Sequence, residues 1–150
     1  MRLVIQRVRK GWVSVDDELV AEIDRGLVIL VGVGPSDTKE EAKWLADKCA
    51  NLRIFEDTEG KTNLSVRDVE GEALVISQFT LYADTRKGRR PSFIKAAQPK
   101  LAEPLVQQFA DDLSQHGIPT SMGVFGAHMV VGVENDGPVT IVMERESKGS

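Results

Sequence analysis

Gly26-Leu27-Val28-Ile29-Leu30-Val31-Gly32-Val33 is the stretch on which the reading of the fold turns. Its apolar residues run without a polar break and are bounded by glycines. A strand with one wetted face alternates polar and apolar; a short continuous run such as this predicts a strand buried on both faces. Ala73-Leu74-Val75-Ile76 repeats the pattern and predicts a second buried strand.

Outward from these runs, the first third of the chain reads as strands. Leu3-Val4-Ile5 leads into Val8, and Val13 and Val15 then alternate with Ser14 and Asp16. Asp16-Asp17-Glu18 predicts a turn before Leu19-Val20-Ala21-Glu22-Ile23, and Asp24-Arg25-Gly26 predicts another. Beyond the central run, Ser36-Asp37-Thr38-Lys39-Glu40 marks a helix start, with Asp37 and Glu40 at capping-box spacing. Ala42, Leu45, Ala46, Cys49 and Leu52 share one helical face, which makes Cys49 a packed core residue. Ile54-Phe55 predicts a short strand and residues 56–61 a polar turn.

A second helix is expected over about residues 100–115, with Leu105, Phe109 and Leu113 inward and Gly117 and Pro119 ending it. Pro104 predicts a kink or a later start. Val124-Phe125, Met129-Val130-Val131-Gly132-Val133 and Val139-Thr140-Ile141-Val142-Met143 close the chain as strands. The sum is a mixed α/β (α+β), strand-rich single domain over residues 1–150 with two main helices. Residues 146–150 are expected as a flexible tail.

The 150 residues fit one domain, since domains run to roughly 100–200 residues. Apolar content of 41% and charged content of 28% exclude a disordered chain. The formal net charge of -4 means that RNA binding needs a local basic patch. With one cysteine, no intrachain disulfide or thiolate metal cluster can form. The apolar run after Met1-Arg2 is too short for a signal peptide, and nothing approaches the ~20 apolar residues of a membrane span. A cytoplasmic location away from membranes is expected.

Conventional catalytic machinery is missing from the sequence. There are two histidines: His116 suits a helix C-terminus, and His128 has no partner at metal-ligand spacing, so no metal or other cofactor is expected. Gly-x-Ser-x-Gly does not occur, and Gly32-Val33-Gly34 lacks the rest of a dinucleotide fingerprint. Chemistry in this chain must lean on backbone groups, hydroxyls or the substrate itself. Ser77-Gln78-Phe79-Thr80 reads in two ways: a strand end entering a loop, or a buried strand delivering hydroxyls and backbone N–H groups to a pocket, where N–H groups assist ester cleavage. Asn135-Asp136-Gly137-Pro138 reads as a hairpin turn, although Gly-Pro is also where a cis peptide is cheapest. Arg86, Lys87, Arg89 and Arg90 form either a solvated loop or a patch that contacts RNA phosphates.

Taken together these segments resemble the D-aminoacyl-tRNA deacylase family over nearly the whole chain. Ser77-Gln78-Phe79-Thr80-Leu81 and Asn135-Asp136-Gly137-Pro138-Val139-Thr140 are the most specific motifs. Gln6-Arg7-Val8, Arg53-Ile54-Phe55, Gly60-Lys61-Thr62-Asn63-Leu64, Arg90-Pro91-Ser92-Phe93 and Phe125-Gly126-Ala127-His128-Met129 add support. Tyr82 stands where relatives often have a smaller residue.

The resemblance implies mixed and antiparallel sheets forming a barrel-like core. It also implies a homodimer acting on D-aminoacyl-tRNA, with glycyl-tRNA a second substrate. Gly137-Pro138 would be a cis pair reaching into the partner's pocket, where an L side chain meets main chain and a D side chain points outward. Arg7 would fix that loop, and Met129 and Phe93 would line the substrate site. Ser77, Gln78, Phe79 and Thr80 would carry the chemistry, either through a Thr80 nucleophile or by orienting the ester while the neighbouring ribose hydroxyl helps activate water. Three rivals remain: an RNA-binding module without activity, a small-molecule esterase and a purely structural dimer.

Overall fold

The structure is a computed structural model, and residues 1–147 are described. In chain order it places β1 (Arg2–Val15), β2 (Glu18–Ile23), β3 (Gly26–Gly32), α1 (Lys39–Asn51), β4 (Phe55–Glu56) and β5 (Thr62–Leu64). There follow β6 (Glu72–Ser77), a 3-10 turn (Phe79–Tyr82), α2 (Pro99–Gln115), β7 (Thr120–Met122) and β8 (Val130–Glu144).

β1 is the spine. One edge pairs antiparallel with β3 from Arg2↔Gly32 to Val8↔Gly26, then with β2 from Gly11↔Ile23 to Val15↔Glu18. The other edge pairs with β8 from Arg2↔Glu144 to Ser14↔Val130. β3, β6 and β7 are mutually parallel neighbours, and such strands need crossovers. α1 lies on the path from β3 to β6, and α2 on the path from β6 to β7.

Both continuous apolar runs are buried on both faces, as their composition predicts. Leu27, Ile29 and Val31 of β3 and Ala73 and Val75 of β6 pack against Leu45 and Cys49 of α1 and Leu105, Phe109 and Leu113 of α2. Val28, Leu74 and Ile76 turn the other way and join Val8, Val13 and Ile23 in a second core enclosed by the curved, barrel-like sheet. Complete burial of Phe109 and Leu45 contributes roughly 1.5–3 kcal/mol each. Burial also pushes the Cys49 thiol up, which keeps it protonated as a core side chain.

Four local expectations are corrected. The N-cap of α1 is Thr38, in a full capping box with Glu41, while the Asp37 carboxylate accepts from Gly34 N–H at 2.7 Å and the Met1 ammonium at 2.8 Å. α2 runs over Pro99–Gln115, within a residue of the expected span, so the later start that Pro104 suggested does not occur: Pro104 lies inside the helix, in its second turn, and the carbonyl it leaves unbonded belongs to the first turn. Val124 and Phe125 form no strand, which falls instead at Thr120–Met122. The last two apolar runs are one strand, β8, because both pair with β1; the segment between them is a bulge and not a hairpin turn. Of the expected tail, Lys148, Gly149 and Ser150 lie outside the described residues, while Glu146 and Ser147 line a small surface cleft with Arg2, Asp37 and Tyr82.

Candidate active site

β3 and β6 end side by side, with Val31 paired to Ser77, and a cleft of about 530 Å³ opens beyond their C-terminal ends. This is where parallel strands present ligand sites, because the crossover loops diverge there. The first turn of α2, with Pro99 and Ala102, makes a second wall. The segment from Phe125 to Met129 makes a third. The lining is mostly apolar, and its polar side chains are Ser77, Gln78, Gln98 and His128. No carboxylate, lysine or cysteine lines it, so His128 at the rim is the one titratable side chain there.

Ser77 and Gln78 are half-buried at the end of β6, and the exposed Phe79 and Thr80 begin the 3-10 turn, whose last residue, Tyr82, is buried. The Gln78 N–H continues the sheet by donating to Val31 O at 2.8 Å. The N–H groups of Phe79 and Thr80, the first two of the turn, have no acceptor among the described residues. The Gln78 side-chain amide donates to Thr80 Oγ1, and Thr80 lies outside the cleft lining. Phe93 meets Phe79 edge to face at 5.1 Å, and both line the cleft with Met129.

A second cluster forms away from this cleft. Arg7, 7% exposed, donates from Nε to Asp136 O at 2.9 Å and from Nη1 to Ile54 O at 2.7 Å. In the β1–β8 ladder Gln6 pairs with Thr140 and Val8 with Asn135, so residues 136–139 bulge opposite Arg7 alone. Asn135 Oδ1 accepts from Val139 N–H at 2.7 Å and closes the bulge. At its tip Gly137 and Pro138 are exposed and joined by a cis peptide bond. Neither lines the cleft of its own chain.

The structure therefore gathers Ser77, Gln78, Phe79, Phe93 and Met129 in one place, and Arg7, Gly137 and Pro138 in another. Lys87, Arg89 and Arg90 are exposed in the loop between them in sequence, whereas Arg86 is bound to Asp84. Two contributors escaped the sequence. Gly123 backs Met129: a Cβ there would lie 2.6 Å from Met129 Sδ. Arg2 Nη1 donates to Leu81 O at 2.9 Å and its guanidinium covers the Tyr82 ring at 4.4 Å, clamping the 3-10 turn. A lone glycine and a basic residue in a strand carry no motif that would have singled them out. Among the described residues no group of three or more His, Cys, Asp or Glu is gathered to hold a metal ion. No described helix is long and apolar enough to cross a membrane.

A profile of the D-Tyr-tRNA(Tyr) deacylase family matches residues 4–144. A protein of Roseiflexus castenholzii named D-aminoacyl-tRNA deacylase is 59% identical over 144 residues, which are 96% of this chain and 92% of the relative. Among solved structures, one described as a c-Myc DNA unwinding element binding protein superposes with a TM-score of 0.91 at 38% identity, covering 98% of this chain and 100% of that one. Another, described as a probable eukaryotic D-amino acid tRNA deacylase, gives 0.82 at 17% identity over 95% and 97%, a likeness of fold.

Proposed function

The chain belongs to the D-Tyr-tRNA(Tyr) deacylase family, and from that premise we propose that it hydrolyses the ester between a D-amino acid and tRNA while sparing L-aminoacyl-tRNA. The observation that carries this reading is the cleft at the ends of β3 and β6, floored by residues 77–79 and free of carboxylate, lysine and cysteine. An aminoacyl ester is reactive enough to be cleaved by a site that orients it, receives the developing oxyanion and admits water. Ser77 and Gln78 orient the ester, and the free N–H groups of Phe79 and Thr80 are the donors for the oxyanion.

Water adds to the ester carbonyl, the bond to the ribose oxygen breaks, and that oxygen takes the proton. The Thr80 hydroxyl lies outside the cleft lining and has no basic partner to take its proton, so in this reading it does not act as the nucleophile. The neighbouring ribose hydroxyl of the RNA helps activate the water. Phosphates of the RNA meet the basic loop, where Lys87, Arg89 and Arg90 stand free.

Chirality is read across a homodimer. The exposed Gly137–Pro138 tip, anchored by Arg7 and Asn135, enters the cleft of a second copy and offers main-chain groups to the substrate's α-amino group. An L side chain then collides with backbone, a D side chain points out, and glycine passes because it has nothing to collide. The reaction serves chiral proofreading of translation in the cytoplasm.

Release of amino acid from matched D- and L-aminoacyl-tRNA tests the reading. Fast loss of the D-form with the L-form spared is expected, and Thr80→Val should keep at least a third of the activity. Sparing of both forms would leave an RNA-binding module, and Thr80→Val inactivity with intact RNA binding would return Thr80 to the chemistry. In the same assay Gly123→Ala should lower kcat/KM for D-aminoacyl-tRNA by about threefold to tenfold, because Met129 must move into the cleft. Unchanged kinetics would show that Met129 yields without touching the substrate.

A further inference from the structure

Residues 84–92 form a loop whose base is closed by backbone pairing: Asp84 N–H donates to Ser92 O at 2.8 Å, and Ser92 N–H to Asp84 O at 2.9 Å. On one side of the closure the chain leads back into the turn that carries Phe79. On the other side Phe93 follows at once, and the two rings meet at the cleft. The closure thus sets where the loop stands relative to the cleft.

Asp84 holds this base through its side chain. Its carboxylate accepts from Arg86 N–H at 3.1 Å, Nε at 2.9 Å and Nη2 at 2.8 Å, and Lys95 Nζ stands at 3.8 Å. The Arg86 guanidinium is engaged by two donors in a bidentate pair. It also holds the Asp84 carboxyl well below the usual carboxylate range, so the pair is charged under all ordinary conditions. Lys87, Arg89 and Arg90 have no such partner among the described residues.

We propose that Asp84 is a positioning residue which, with Arg86 as an internal strut, presents Lys87, Arg89 and Arg90, but not Arg86, to the RNA phosphates nearest the scissile ester. The inference rests on charged tRNA being the substrate. A basic loop left slack would pay ordering entropy at each encounter, whereas a strutted loop holds its charges in register beforehand. A bidentate arginine already facing a carboxylate has no free fork for a phosphate.

The test is steady-state hydrolysis of D-aminoacyl-tRNA across a salt series, with D-aminoacyl-adenosine, which carries no phosphate, run alongside. Arg89→Gln and Arg90→Gln should each flatten the log–log salt dependence of binding by about 0.7–0.9, the weight of one phosphate contact. Asp84→Asn and Arg86→Gln should raise KM for the tRNA about fivefold, with kcat held and the salt slope unchanged, the size of effect expected of one exposed charge pair. The double variant Asp84→Asn/Arg86→Gln should be no worse than the worse single one, because the two act as a unit. Flattening by Arg86→Gln equal to that by Arg89→Gln would make Arg86 a direct contact and overturn the strut. A fall in kcat with KM unchanged on Asp84→Asn would place its action in the cleft and overturn it equally. A wild-type chain that cleaves the adenosine ester but not charged tRNA would remove the substrate reading itself, and the loop proposal with it.

Discussion

Gly26→Ala is expected to destabilise the protein by about 3 kcal/mol or more, at the upper end for overpacking substitutions. A Cβ at Gly26 would lie far inside contact with the carbonyl oxygen of Glu72, and close to that residue's carbonyl carbon and nitrogen. These are backbone atoms held by the parallel pairing of Gly26 with Glu72, so nothing flexible can give way. The start of β3 would have to part from β6, and those two strands carry both cores and the cleft at their far ends. Urea unfolding of the two proteins measures the loss. Gly60→Ala is the control: nothing stands within 4 Å of the new Cβ, and only its φ of +76 costs about 1 kcal/mol. Equal midpoints for the two variants would show that β3 and β6 can separate there without consequence.

Gly137→Ala should leave the fold intact and damage recognition. Gly137 has φ +137, a region that L side chains rarely adopt, and a Cβ would lie 2.8 Å from Val139 Cγ2 and 3.1 Å from Arg7 Nη2. Arg7 is pinned to Ile54 O and Asp136 O, so the exposed tip moves rather than the arginine. If that tip is the chirality filter, kcat/KM for D-aminoacyl-tRNA falls about tenfold or more, since displacing a positioning group by a fraction of an ångström is felt on this scale. The preference for D over L narrows with it. Parallel time courses on the two substrates decide the matter: a D-to-L ratio equal to that of wild type would remove residues 137 and 138 from the filter.

Much of the architecture could be read from local pattern, and the failures share a cause. The two apolar runs announced β3 and β6 because burial on both faces leaves no polar position to interrupt them. Cys49, Leu105, Phe109 and Leu113 likewise declared their helical faces. The capping box was displaced by one residue because Asp37 is claimed by the Met1 ammonium, a partner far away in sequence. β8 looks like two runs in the sequence because residues 135–138 have turn chemistry, while what joins the runs is a common neighbour, β1.

The site followed the same division. Residues 77–80 stand at the end of a legible strand, so their place near a pocket could be anticipated. That Thr80 misses the cleft lining, that Arg86 faces Asp84 and that Gly123 makes room for Met129 depend on side-chain geometry that no spacing encodes.

The pairing of Arg2 with Glu144 also bears on how the molecule is made. A ribosome releases β1 first among the strands and β8 last, and at roughly 5–20 residues per second the interval is on the order of ten seconds. During that time one whole edge of β1 waits without its neighbour, open to any other extended segment, including that of a sister nascent chain. Met129 and Val131, which complete the cleft, arrive only with the strand that covers this edge. Protection of the nascent chain and assembly of its reactive pocket therefore both wait on the emergence of β8.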